Sequence, residues 1–462
     1  MTQSENKRYT ELRQEKVGVL LRRYSIPAIV SMVVVALYNI VDRIYIGHGV
    51  GSMAIAGLTL TLPISSMIAA IGTLVGAGAS SRMSIVLGMN DIRWARNILG
   101  HVPILTCILS LLFIIPTMIY IEPILYLFGG SEATLPYARD YLMIVIPASI
   151  FTNLCYSFSN VIRASGFPKK SMSVVLVGVL LNVILDPIFI FWFDMGIRGA
   201  AIATAISMFV GAVYAVSHFM NPKHEVSFHK DSFKIRLNII KNILSIGFSP
   251  FIMNFIASAV AILVNNQLRI YGGDIAIGSF GIINSYQLFI SFIVLGLCQG
   301  MQPIIGFNYG ARNNKRVKDT FFLAARASTI IFGVGLLLME VFPRLASMIF
   351  TSDPELIELT IRGMRIAFAA AILIGIQIVI SHFFTSIGKA MQATIMTISR
   401  QLIFLIPLLA ILPMFWGLDG VWLAIPVSDI LAFLLAMFFI LREKRYLYSK
   451  NNYLCLENEM NI

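Results

Sequence analysis

GSMAIAGLTL, residues 51–60, returns as GDIAIGSFGI at residues 273–282, about 222 residues further along a chain of 462. Each copy is followed by a glycine-bearing apolar run, ending near Gly88 or Gly310, and then by a basic loop. Pro27 falls opposite Pro250, and IYIG from Ile44 opposite IYGG from Ile270. Further on, SGFPKK from Ser165 aligns with IGKAMQ from Ile387, and MGIRGAAIAT from Met195 with GLDGVWLAIP from Gly417. Weak, collinear similarity at a fixed displacement is the mark of an internal duplication.

What is duplicated is apolar. The chain is 58% hydrophobic and 13% charged, with a mean hydropathy of +0.82. Soluble domains carry about 25% charged residues, so a cytosolic enzyme, a secreted domain and a disordered chain are disfavoured and an integral membrane protein remains. A crossing takes about 20 mostly apolar residues. Spans are expected at roughly 24–47, 53–78, 98–121, 138–163, 170–193, 198–219, 243–270, 276–306, 320–342, 361–386, 391–414 and 418–441.

The fold expected is all-α: twelve transmembrane helices in two parallel six-helix repeats around a central cavity. Residues 1–23 form a cytoplasmic N-terminal segment, 24–220 an N-lobe, 221–242 a cytoplasmic linker, 243–441 a C-lobe and 442–462 a cytoplasmic tail. The formal charge of +12 would ordinarily raise nucleic acid as a partner. Here Lys and Arg sit in short groups between apolar runs, biased roughly four to one toward the loops on the side of the termini, which is a topology signal placing both termini inside. No secretory leader is read at the N-terminus, and Cys107, Cys155, Cys298 and Cys455 have neither disulfide nor zinc spacing.

An ionisable group at membrane depth costs about 2.5–3.5 kcal/mol on insertion scales, which makes each one a functional candidate. Asp42 in YNIVDRIYIG and Asp186 in LLNVILDPIFI are two such groups. Tyr38 and Asn39 lie one turn before Asp42, and Asn182 one turn before Asp186, each pair on one helix face. Pro187 removes a backbone donor beside Asp186. Oxygen-rich pairs of this kind suit a hard monovalent cation or a proton, and a carboxyl group kept from water takes up a proton more readily than an exposed one.

The second half has Phe404 and Leu408 opposite Asn182 and Asp186, and otherwise carries neutral polar groups such as Asn254, Gln287, Gln299 and Gln377. Ion coupling is therefore expected in the first half. Arg326, Arg400 and Asp429 are its other deep charges; Arg400 or Asp429 is either an interlobe ion pair, a cavity liner or a packing group. Gln287, Gln299 and Arg400 are candidate substrate-cavity residues. The small-residue spacings Gly72/Gly76, Gly296/Gly300 and Gly306/Gly310 suit close helix packing.

Enzymatic signatures are missing. Gly388-Lys389 has Phe383 where a phosphate loop needs glycine, and His224-Glu225 lacks the second histidine of a zinc motif. No cofactor is expected beyond H+ or Na+ as coupling ion.

SIPAIV from Ser25, LYNIVDRIYIG from Leu37, AIAGLTLTLPI from Ala54, RASGFPKKSM from Arg163, LLNVILDPIFIF from Leu180 and GIRGAAIATAIS from Gly196 together resemble the multidrug and toxic compound extrusion (MATE) family, nearest its DinF-like branch. The resemblance covers about residues 25–440. It implies a V-shaped, two-lobed transporter in the plasma (inner) membrane that exports cationic or amphipathic drugs in exchange for H+ or Na+. Its cation site would comprise Asp42, Asn182, Asp186 and Thr204, with Tyr38 nearby and Pro27 where the first helix bends on protonation. Asn153 and Asn160, seven apart on the fourth span, are added as neighbours from their spacing alone. A monomer in the lipid bilayer, with no nucleic-acid partner, is expected. A lipid-linked oligosaccharide flippase of the same superfamily would share the topology, and a membrane-embedded enzyme is the reading from another class.

Overall fold

A computed structural model describes residues 3–128, 132 and 134–448. Among them the only regular structure is helix, the form in which a single segment satisfies its own backbone in lipid. The first half runs α1 (Gln3–Gln14), α2 (Val17–Gly49), α3 (Ser52–Leu60), α4 (Leu62–Gly88), α5 (Ile92–Ile119), α6 (Ile121–Leu127), α7 (Leu135–Ala164), α8 (Pro168–Pro187) and α9 (Gly196–Met220). The second runs α10 (Leu237–Gly273), α11 (Ile275–Gly310), α12 (Asn314–Val341), α13 (Pro343–Met348), α14 (Pro354–Ala367), α15 (Ala371–Ser386), α16 (Ala390–Ile398) and α17 (Ile406–Tyr448).

Six crossings in each half follow from breaks in these helices. α14 and α15 are two parts of one span bent by 53°. From Ala390 to Glu443 the chain is helical over 54 residues, roughly 80 Å at 1.5 Å per residue and far beyond a hydrocarbon core of about 30 Å. Gly417, at φ +54, folds that stretch back on itself. Arg400 and Asp429 consequently meet across the fold with Nε and Oδ1 2.7 Å apart. Gly273 does the same between α10 and α11 with φ +68.

The duplication is written into the turns. Left-handed backbone recurs at the displacement of about 222 residues, at Gly51 and Gly273, at Asn90 and Arg312, and at Gly166 and Gly388. Asp91 caps α5 by accepting from the Trp94 N–H at 2.9 Å, and Asn313 caps α12 by accepting from the Arg316 N–H at 3.3 Å. At the other end of the molecule each lobe closes with an ion pair of opposite sense, Arg198 with Asp140 at 2.9 Å in the first and Arg362 with Asp419 in the second.

The lobes meet at the end that carries the linker. There α4 packs on α10 and α11, and α2 packs on α11, so closely that a Cβ at Gly78 would strike the Ile243 carbonyl, one at Gly247 the Leu74 carbonyl, and one at Gly300 the backbone of Ser25. Ser81 donates to the Thr385 carbonyl at 2.6 Å and Gln302 to the Ala77 carbonyl at 3.3 Å. One hydrophobic core runs through both lobes at this end, from Val75 and Met83 to Ile304 and Phe384. The far half of the N-lobe has a separate core of its own, built on Ile46, Leu125, Leu142 and Ala200. The cleft between the lobes is thus closed at the linker end.

α1 lies beneath this seam. Arg316 of the C-lobe donates to the carbonyls of Leu12 and Glu15 at 3.1 and 2.7 Å, placing a cation on the carbonyl end of α1. Arg23 of α2 pairs with Glu11 and Glu15 at 2.8 and 2.7 Å, and Tyr9 stacks on Phe307 with ring centres 6.0 Å apart.

Candidate functional site

Three helices of the N-lobe converge at the end away from the linker. α2 carries Tyr38 and Asp42, α8 carries Asn182 and Asp186, and α9 carries Thr204. The i, i+4 spacing on α2 and α8 stacks each pair along one face. Asp42, Asn182 and Asp186 are all buried, the last two completely. With the Asn182 amide turned so that its nitrogen faces α8, it donates to Asp186 Oδ2 at 2.9 Å, and its oxygen accepts from the Thr204 N–H and hydroxyl at 3.2 Å each. This orientation follows from the surrounding donors and acceptors. Tyr38 lies beside the Thr204 side chain, and the bonded sequence runs from Thr204 to Asn182 to Asp186.

The chain of bonds ends on a second carboxyl group. Asp42 and Asp186 are in direct side-chain hydrogen-bond contact. Two ionised carboxylates repel at this separation, so the contact requires either one proton shared between them or a cation. The two carboxyl groups offer only oxygen atoms, which suit a proton or a hard alkali ion, and one such ion halves the charge of the pair.

Local structure explains why the site forms here. Pro187 has no N–H, and the backbone beyond it widens into a π-helical stretch, Ile188–Trp192. Such stretches concentrate at functional sites. The start of α9 approaches this stretch so closely that a Cβ at Gly199 would come within 2.7 Å of the Phe189 carbonyl oxygen, and that approach brings Thr204 to Asn182.

The profile of the MatE family matches residues 27–188 and again 245–411, once in each lobe. The chain belongs to the MatE family. The multidrug export protein MepA of Staphylococcus aureus strain N315 is 29% identical over 426 residues, which cover 92% of this chain and 94% of that protein. A multidrug resistance MATE family transporter of the MOP superfamily, solved in an outward-facing conformation, superposes with a TM-score of 0.89 at 24% identity, covering 95% of this chain and 98% of its own. A MATE protein solved in a bent conformation gives the same TM-score, covering 96% and 99% at 24% identity.

In this MatE chain the remaining expected residues fall elsewhere. Asn153 donates to the Ser110 hydroxyl at 2.9 Å, and Asn160 donates to the Tyr156 carbonyl of its own helix at 2.9 Å. Neither belongs to the Asp42–Asp186 bond network. Pro27 lies inside α2, which is helical without interruption from Val17 to Gly49; Ser31 donates to its carbonyl at 2.9 Å. The side chains of Asn39 and Arg43 lie outside the described residues.

Gln299 is a tie between lobes. It accepts from Arg163 at 2.5 Å and donates to Met32 Sδ at 3.8 Å. Gln287 is half-buried on α11. Arg400 stands in a second π-helical stretch, Ser399–Leu405, and pairs with fully buried Asp429 inside the C-lobe, not between lobes. It lines a small cavity of about 40 Å³ with Gln377, His382, Thr397 and Gln401. Arg326 is exposed.

Two features escaped the sequence. Tyr141 of α7 reaches the electrostatic neighbourhood of Tyr38, and nothing in its spacing marks it. The interlobe role of Arg163 was equally hidden, because at the end of a span it reads as an ordinary topology-setting cation.

Proposed function

We propose that this chain is a secondary active multidrug efflux transporter of the cell membrane, exporting cationic or amphipathic organic compounds by antiport with H+ or Na+. The observation that carries the reading is the contact between Asp42 and Asp186. Binding of a proton or sodium ion neutralises the repulsion there and draws α2 toward α8 and α9. Release of the ion lets the repulsion push α2 away, with Pro27 as the point where its backbone has a bond missing. The neutral C-lobe counterpart of this site supports coupling through the N-lobe alone.

Both termini and the linker are cytoplasmic in this reading, from the distribution of Lys and Arg. The form described is then closed toward the cytoplasm. Alternating access requires the seam of α2, α4, α10 and α11 to part while the far ends of the lobes come together. Residues 24–220 and 243–441 move as lobes on the hinge of 221–242, in a monomer that carries out no covalent chemistry.

Purified protein in liposomes, loaded with a cationic dye and given separately imposed pH and Na+ gradients, tests this. Efflux driven by one of the gradients, and lost in Asp42→Asn with the variant still folded and inserted, is the expected result. Full gradient-driven efflux by Asp42→Asn would overturn the coupling assignment.

A further inference from the structure

A groove of about 620 Å³ opens on the outer side of the C-lobe, between α12, α15 and the end of α17. It is far from the Asp42–Asp186 site and plays no part in the reading above. Its lining changes character along one direction. At the linker end stand Lys315 and Lys318, both exposed, and from there inward the walls are apolar, with Phe321, Phe322, Ile380 and Met437.

The pattern follows from helix geometry. Positions 314, 315, 318, 321, 322 and 325 of α12 share one face, so that face turns from cationic to aromatic within a single turn and stays apolar for about 10 Å beyond Lys318. Lys318 keeps its aliphatic stem over this surface, its Nζ 6.0 Å from the ring centre of Phe322. None of the described residues lining the groove is acidic.

An occupant must therefore be anionic at one end and apolar along its length, with its charge at the membrane interface. We propose that this groove binds an anionic phospholipid, its phosphate between Lys315 and Lys318 and its acyl chains against Phe321, Ile380 and Met437. The arrangement is that of a basic pocket between membrane helices at the linker side. A cationic drug does not fit, because both ammonium groups guard the mouth.

The test uses the full chain in nanodiscs with a phospholipid carrying a photoreactive acyl chain. Crosslinks are mapped by peptide mass spectrometry to α12 and the end of α17. Each lysine near such a surface is worth about a factor of five, so phosphatidylglycerol should compete for the crosslink roughly ten- to thirty-fold better than phosphatidylcholine. Lys315→Gln with Lys318→Gln should bring the two competitors to parity, whereas Ala325→Trp, which fills the groove and leaves the charges, should lower crosslinking at these helices whatever the head group.

Equal competition in the wild type, or an undiminished preference in the double variant, would overturn the proposal. Melting temperatures of the variants in lipid-free detergent establish that each is folded. Because the readout is lipid occupancy, failure of this proposal is distinct from failure of the transport reading.

Discussion

Gly88 and Gly310 are counterparts across the axis that relates the two lobes, and each lacks the side chain that would block the other's helix. A Cβ at Gly88 would run into the Phe307 carbonyl, and one at Gly310 into the Ile85 carbonyl. The displacement that carries Gly88 to Gly310 also carries Ile85 to Phe307. The contact is self-complementary, as at an isologous dimer interface, and it lies within one chain.

Gly88→Ala and Gly310→Ala should each weaken the closure at the linker end by about 1–3 kcal/mol, the usual cost of forcing a methyl group into packed backbone. The double variant should cost less than the sum, because the first substitution already separates the helices the second would separate. Distances between spin labels on α4 and α11 should lengthen in both single variants. Unchanged distances would mean that the seam yields elsewhere.

Thr204→Val keeps the shape of the side chain and removes the hydroxyl that hydrogen-bonds Asn182 beside Tyr38. Gradient-driven efflux should fall several-fold and need a higher concentration of the coupling ion, since losing one neutral hydrogen bond costs about 1 kcal/mol. The protein should melt near the wild-type temperature. An ion dependence identical to wild type would remove Thr204 from the coupling network.

In the proposed mechanism the contact between Asp42 and Asp186 holds only while a proton or a cation lies between them. In the absence of Na+, raising the pH should therefore break it, and lowering the pH should restore it. Infrared spectra at stepped pH would show the protonated-carboxyl band disappear as the pH rises, and Asp42→Asn and Asp186→Asn would each alter that band. If the band persisted unchanged in both variants, the shared proton would belong to neither residue.

Arg400 and Asp429 illustrate the opposite use of a charge in the membrane interior. Asp429 is completely shielded while Arg400 keeps about a fifth of its side-chain surface, so Asp429→Asn strands a cation beside a small, largely apolar cavity. A loss of roughly 3 kcal/mol is expected. Arg400→Met combined with Asp429→Leu should recover much of it, and thermal unfolding of the wild type and the two variants in detergent would show whether it does.

These pairs also show how far the sequence could be read. The duplication predicted the fold because helix breaks need special residues: Gly51, Gly166, Gly273 and Gly388 punctuate the chain at matching places, and the caps Asp91 and Asn313 repeat with them. Asp42, Asn182 and Asp186 stood out because carboxylates are scarce in apolar helices and periodicity set each beside a polar neighbour. What joins α2 to α8 and α9 is tertiary. Thr204 entered through family resemblance, and Tyr141 did not enter at all, since a tyrosine near the start of a span looks the same whether it faces lipid or Tyr38. Arg400 and Asp429 were seen as charges, but their partnership depends on the reversal at Gly417, which brings together positions 29 residues apart. Asn153 and Asn160 share a helix face with each other, and the hydrogen bonds they donate go to Ser110 and Tyr156 and not to the Asp42–Asp186 cluster.

The docking of α1 has a consequence for how the protein is made. Residues 3–14 leave the ribosome well ahead of their anchors, Phe307, Asn308 and Arg316, which are translated about 300 residues later. Until α11 and α12 have entered the bilayer, the carbonyls of Leu12 and Glu15 lack the Asn308 and Arg316 donors and Tyr9 lacks its stack on Phe307. This segment is thus made long before the surface on which it docks, and a chain cut short before Arg316 would leave it without those anchors, a ready mark by which proteolysis tells unfinished molecules from complete ones.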